Sequence, residues 1–326
     1  MKKRTLRWLA AGFLLLWCGA FLRAENTEKS MVRALLLQPP TAEQQNWIVG
    51  LLYQFPEAEA DTSDAEALVR LCTGEGETLE EARQEAEQGL PRQASYRICE
   101  YLLFGPNTTL AEIRQAEETL REEPVRGIAD RVLSGDFSLE AFAIQAEEAE
   151  NLPEQLLQAM KETASQMPRL QECRKGLLLP VLCQKDGGVA EAEEDILLTE
   201  TGTMRLSAAQ TQMARLQQQQ SGEHAFRLEG GTVTFRRCVV SAKAAGEGFV
   251  VTLSGQRKPG TSPVSQNQKT QLEALCVQTI RRCWEAGYDL LSLGAVRALE
   301  QGTQEEPLTT KNACPRVQAD VSFLQF

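Results

Sequence analysis

The longest uncharged stretch of this chain lies at its start. Fifteen residues from Trp8 to Leu22 pass without a charge, behind Lys2, Lys3, Arg4 and Arg7. A basic cluster followed by such a run is the pattern of an export signal. It falls short of the ~20 apolar residues of a usual membrane span. The positive cluster keeps the extreme N-terminus cytoplasmic and sends the rest outward. Later apolar runs are shorter and read as strands: residues 31–37, stopped by Pro39 and Pro40, then 47–55 and 98–104, the last closed by Gly105-Pro106-Asn107. Between them the acidic stretch 57–71 reads as a linking segment or short helix. A helix follows over 79–89, its start marked by the Thr78-x-x-Glu81 capping box. Residues 109–167 read as helical throughout. Asn107 or Thr108 caps their start, Pro124 and Pro153 punctuate them, and Ile113, Ala116, Leu120, Ile128 and Val132 recur near helical spacing.

Near residue 173 the rhythm changes to strands: 176–183, 195–198, 203–206, 226–228, 232–242 and 249–253, with Gly230-Gly231 and Gly246-Glu247-Gly248 as turns. Helices are expected over 207–220 and 266–286. In the second, Leu272, Leu275, Cys276, Thr279, Ile280 and Cys283 form one apolar face. A strand over 317–326 ends the pattern. The organisation expected is an anchor or signal at 1–24, an α/β domain over 25–172, and a second over 173–326 that subdivides near 222. The fold class is α+β, with mixed α/β subdomains and largely antiparallel sheets flanked by helices.

Charge narrows the partners. Without residues 1–24 the chain keeps 29 basic against 45 acidic residues, a net charge near −16. Such a field repels nucleic acid and anionic lipid alike. Eight cysteines lie beyond the signal at irregular spacing, with no C-x-x-C and no Cys/His cluster, and read as mostly free core thiols. Cys18 sits inside the apolar run, in Leu15-Leu16-Trp17-Cys18-Gly19. Leu15 stands where a bacterial lipidation motif wants leucine, but Trp17 stands where it wants a small residue. Two readings stay open, a lipid-bearing cysteine or an apolar residue of an uncleaved anchor, and either tethers the chain.

Candidate chemistry is sparse. Gly74-Glu75-Gly76-Glu77-Thr78 precedes a helix but lacks the Gly-Lys-Ser/Thr of a P-loop and the G-x-G-x-x-G of a dinucleotide site. Glu75 and Glu77 would repel phosphate, so the segment reads as a turn feeding the capped helix. His224 is the single histidine and is expected in a solvent-exposed turn. That scarcity argues against hydrolase triads and zinc sites. Carboxylates are numerous enough for a glycosidase-type pair, yet the aromatic residues such sites use are scattered. Asp289 reads as the cap of a helix carrying Val296 and Leu299. No catalytic, cofactor-binding or metal-ligating residue is assigned, and no cofactor is expected.

Taken in order, several of these segments resemble the Ger(x)C family, the C subunits of spore germinant receptors. They are the N-terminal export signal with Cys18, the Gly74-Glu75-Gly76-Glu77-Thr78-Leu79 turn into a helix, and the strand through Ile98-Cys99-Glu100-Tyr101-Leu102-Leu103-Phe104 to Gly105. The polar run Arg121-Glu122-Glu123-Pro124-Val125-Arg126, the helix from Gln278 followed by Asp289 and Gly294, and the closing strand 317–326 complete the series. The resemblance spans nearly the whole chain. It implies a lipoprotein of the spore inner membrane, on the extracytoplasmic face, built of mixed α/β subdomains. It also implies a non-catalytic role beside two integral-membrane partners, the A and B subunits, in nutrient-triggered germination. Direct binding of a small molecule is left open. A second class, an extracytoplasmic solute-binding lipoprotein, would need repeated βαβ units and a cleft, which the strand-rich second half does not suggest.

Overall fold

The computed structural model describes residues 29–54, 68–121, 131–169, 176–185, 187–218, 223–257, 263–303 and 308–324. The signal region 1–24 with Cys18, Cys173, and most of the run 121–126 lie outside them. Among the described residues no helix is long and apolar enough to cross a membrane.

The apolar runs of the first half become one mixed sheet buried on both faces. It contains β1 (Ser30–Gln38), β2 (Trp47–Gln54), β3 (Val69–Gly76), β4 (Ala94–Ser95), β5 (Tyr101–Phe104), β6 (Arg131–Gly135), β8 (Val181–Lys185) and β9 (Gly188–Glu191). The order is β3-β2-β1-β5-β6-β8-β9, with β4 paired to β1. The inner pairs β1–β5, β5–β6 and β6–β8 are parallel and the outer pairs antiparallel. Along β2, Trp47, Val49 and Leu51 enter one core and Ile48 and Leu52 the other. Covered faces are why these strands read as continuous apolar runs rather than alternations. Helices α1 (Leu79–Gln88) and α2 (Leu110–Leu120) cover one face through Leu79, Ala82, Ile113 and Ala116. Helices α3 (Leu139–Glu148) and α4 (Leu152–Thr163) cover the other through Phe142, Leu156, Leu157 and Met160.

A second sheet joins β7 (Gly176–Leu179), β10 (Ile196–Thr199) and β11 (Gly202–Arg205) in the order β11-β10-β7, all antiparallel. Its Leu177, Leu179, Ile196 and Leu198 extend the α1/α2 core, and its other face meets α5 (Ala208–Gln217) and α6 (Gln266–Glu285). The third sheet runs β12-β13-β14-β15 over Glu223–Leu228, Gly231–Ala245, Gly248–Arg257 and Val317–Leu324. It packs Phe226, Phe235, Phe249, Val251 and Leu253 against Met213, Leu272, Ile280 and Trp284 of α5 and α6, and against Leu293 of α7 (Leu293–Gln301). At ~1.5–3 kcal/mol for each large apolar side chain removed from water, these layers are the main source of stability. The architecture is α+β, and antiparallel pairs outnumber parallel ones as expected.

Several expectations change. The stretch ending at Leu71 is not a linker at its C-terminal end: Val69–Gly76 is a strand, and Gly74 and Gly76 lie in it rather than in a turn. The helical reading of 109–167 is broken by β6, whose five residues are buried too uniformly to alternate. The i, i+4 spacing of Ile128 and Val132 imitates a helix, but Val132 is in that strand. The cap of α2 is Thr109, boxed with Glu112, while Asn107 takes a positive φ and Thr108 bonds the Gly105 carbonyl. Finally, β9 had no signal in the sequence.

Candidate functional site

The glycine segment is a packing device. A Cβ on Gly74 would stand 2.2 Å from the backbone nitrogen of Ala86 and 2.5 Å from the Ala82 carbonyl oxygen, and one on Gly76 would stand 2.5 Å from the Ala82 nitrogen. The two glycines therefore let α1 lie directly on β3. Thr78 caps α1, its hydroxyl accepting from the Glu81 N–H at 3.2 Å while Glu81 accepts from the Thr78 N–H at 3.3 Å. With the Glu81 N–H taken and Glu80 and Glu81 in the first turn, this helix start disfavours an anion. Behind it Arg83 is nearly buried between Glu80 and Glu87, and the Tyr96 hydroxyl donates to Glu87 at 2.5 Å.

The other singled-out positions lie apart from this segment. Gly105 continues the β5 ladder, its N–H donating to the Leu37 carbonyl at 2.8 Å, and a Cβ there would meet the Gln38 side chain at 3.2 Å. Asp289 accepts from the Leu293 and Gly294 N–H groups at 2.8 Å each and so caps α7 from ahead of its first turn. His224 corrects an expectation: it lies in β12, paired with Phe235, and is 6% exposed. The neighbouring residues are polar, but the period-2 alternation of β12 turns the ring inward.

Sequence reasoning missed a deeply buried ion pair. Arg215 on α5 forks onto Asp195 with Nε to Oδ2 at 2.7 Å and Nη2 to Oδ1 at 2.5 Å, and its Nη1 reaches Glu191 at 2.7 Å. The Arg215 side chain is 7% exposed and that of Asp195 2%. Glu191 also receives Thr163 of α4 and Gln166. The Thr211 hydroxyl accepts from the Asp195 N–H at 2.9 Å. One guanidinium thus links β9 of the first sheet, the entry to β10 of the second, and α5 beneath the third. Burial pushes the Asp195 carboxyl up to about 6 although Arg215 pulls it down. Its two oxygens face the guanidinium in a two-pronged ion pair. For Arg215, burial works against the charge, but Asp195 and Glu191 outweigh it and hold the guanidinium above its ordinary value. No sequence motif signals such a pair, because its members are 20 residues apart and meet only through the packing of α5.

Open clefts surround this framework. One of about 590 Å³ lies between α4 and β9, lined by Glu154, Gln155, Gln158, Glu162 and Glu191. A groove of about 510 Å³ runs between β3 and α3. The seven described cysteines beyond the signal form no disulfide with one another, and Cys99, Cys276 and Cys283 are buried. Among the described residues no group of three or more His, Cys, Asp or Glu is placed to hold a metal ion. What the arrangement offers chemically is an acidic, helix-flanked scaffold with grooves at its edges.

No family model matches the chain, and no curated protein matches it in sequence. Among solved structures it is similar to the crystal structure of the GerBC protein, with a TM-score of 0.44 and 10% identity over 89% of this chain and 97% of that one.

Proposed function

We propose that this chain is a non-catalytic, membrane-tethered C subunit of a spore germinant receptor, docking on integral-membrane A and B subunits in nutrient-triggered germination. The observation that carries the reading is the ordered series of Ger(x)C-like segments, from the signal with Cys18 through Gly74, Gly76, Thr78 and Gly105 to Asp289 and Gly294. Supporting it, the conspicuous positions serve packing and capping, as expected of a module that works through its surface.

The mechanism is geometric. The N-terminal anchor holds the acidic body at high effective concentration beside membrane subunits, so modest interfaces suffice. Deleting residues 1–24 leaves a chain that folds but no longer supports germination, read as loss of optical density in nutrient-treated spores. Full germination restored by the untethered chain overturns the reading. Mass spectrometry of the mature N-terminus decides between a lipid on Cys18 and an uncleaved anchor.

A further inference from the structure

Resting on the docking reading, we infer that the outer edge of β3 receives an extended segment of a partner polypeptide as an added strand. β3 is the terminal strand of the large sheet, and among the described residues nothing pairs with it on the side away from β2. The Glu75 N–H donates to the Glu85 carboxylate at 2.7 Å, so it points away from β2. Backbone groups alternate along an antiparallel strand. Val69, Leu71 and Thr73 share the parity of Glu75 in an unbroken register with β2, so their N–H and C=O groups point outward too.

Three other sheet edges are screened. On β15, the Val321 N–H donates to Glu273 and Asp320 pairs with Lys269. β9 is four residues long and lies beside α4. On β11, Arg205 pairs with Asp136. Natural sheets blunt edges in these ways to keep other chains off. On β3 the screen stops at Glu75, and among the described residues nothing pairs with the outward groups from Val69 to Thr73.

Beside that ladder runs the 510 Å³ groove, with Leu68, Leu71, Ala143 and Ala146 along it, Arg70 on the β3 side, and Glu147 and Glu150, which outnumber that one cation, on the α3 side. Open backbone pairs select an extended chain, and the groove selects its side chains. They are apolar at alternate positions, with a basic residue facing Glu147 and Glu150. The chain's own residues 55–67 carry Glu57, Glu59, Asp61, Asp64 and Glu66 and no basic residue, and a second copy brings a net charge of −11. Both are electrostatically disfavoured beside Glu147 and Glu150, and a basic partner segment is favoured.

The test is amide hydrogen exchange on the full-length chain, purified in detergent and in its native membranes. In the purified chain the amides of Val69, Leu71 and Thr73 are expected to exchange freely, and in membranes at least about tenfold more slowly. Thr73→Pro removes an outward donor without touching the β2 ladder, and Thr73→Lys adds the kind of charge that guards edges. Each is expected to abolish the membrane-dependent protection at Val69 and Leu71. If Thr73→Pro fails to fold, Thr73→Lys decides. Protection in membranes confined to other surfaces overturns this inference and leaves docking intact, whereas no membrane-dependent protection anywhere overturns both. Protection of the β3 edge already in the purified chain assigns it to residues 55–67 or to a second copy, and also overturns the inference.

Discussion

Replacing Arg215 by methionine removes the one cation that two carboxylates share at the junction of the sheets. Asp195, with a side chain only 2% exposed, cannot recover by reaching water, whereas Glu191, at 27%, can. Removing one partner of a buried pair costs about 3–5 kcal/mol. For a domain of this size that lowers the melting temperature by roughly 5–15 °C. The double variant Arg215→Met/Asp195→Leu also removes the stranded carboxylate, and replacing a buried pair by apolar residues is neutral or stabilising by up to about 4 kcal/mol. Urea denaturation followed by circular dichroism gives both values, and the cycle gives the coupling between the two residues.

The penalty also carries a pH signature. Burial already places Asp195 at about 6, above its ordinary carboxylate value, and losing Arg215 raises it further. A raised carboxyl takes up a proton on folding. The stability of Arg215→Met therefore falls as pH rises from about 4 through the folded pKa, and its deficit is smaller at pH 5 than at pH 8. An Arg215→Met protein within about 0.5 kcal/mol of the parent, or a double variant as unstable as the single, refutes this account.

Other substitutions test the packing and capping roles. Gly74→Ala drives a methyl into the α1 backbone and is expected to cost about 1–3 kcal/mol in thermal melts, whereas Gly202→Ala, which meets no neighbour within 4 Å, tests backbone conformation alone. Asp289→Ala loses both caps of α7 and costs about 0.5–2 kcal/mol, measured by the same melts. Burial pushes the Cys276 and Cys283 thiols up to about 12 from an ordinary 9.0. They resist a thiol reagent at pH 8 in the native protein and react once it is unfolded in urea. Because their protonated form is favoured by folding, the stability they contribute is complete below pH 9 and declines as pH rises from there towards 12.

Local chemistry made much of this fold readable. The Thr78–Glu81 box, the glycine turns at 230–231 and 246–248, and the apolar face of α6 all lie where short-range pattern placed them, because caps and turns are satisfied by residues a few positions apart. The failures share a different cause. β3 and β6 are defined by their partners: β6 is a five-residue strand between β5 and β8 with no rhythm of its own, and β3 hides two glycines whose reason is the helix lying on them. His224 was misread because its polar neighbours describe the exposed side of β12 and not the face on which the ring sits.

By itself, the sequence determined the basic-apolar leader, the acidic body, the α+β class and most helix starts, since each depends on composition or on neighbours within one or two turns. Only the tertiary structure decided that the first-half strands form one mixed sheet with a parallel centre and that Gly74 and Gly76 are contact points for α1. It also decided that Arg215 closes on Asp195 and Glu191, and that β3 is the terminal strand of its sheet among the described residues. Those features depend on which surfaces meet across long loops, and hydrophobic burial, being non-directional, leaves that choice to the packing of the whole chain.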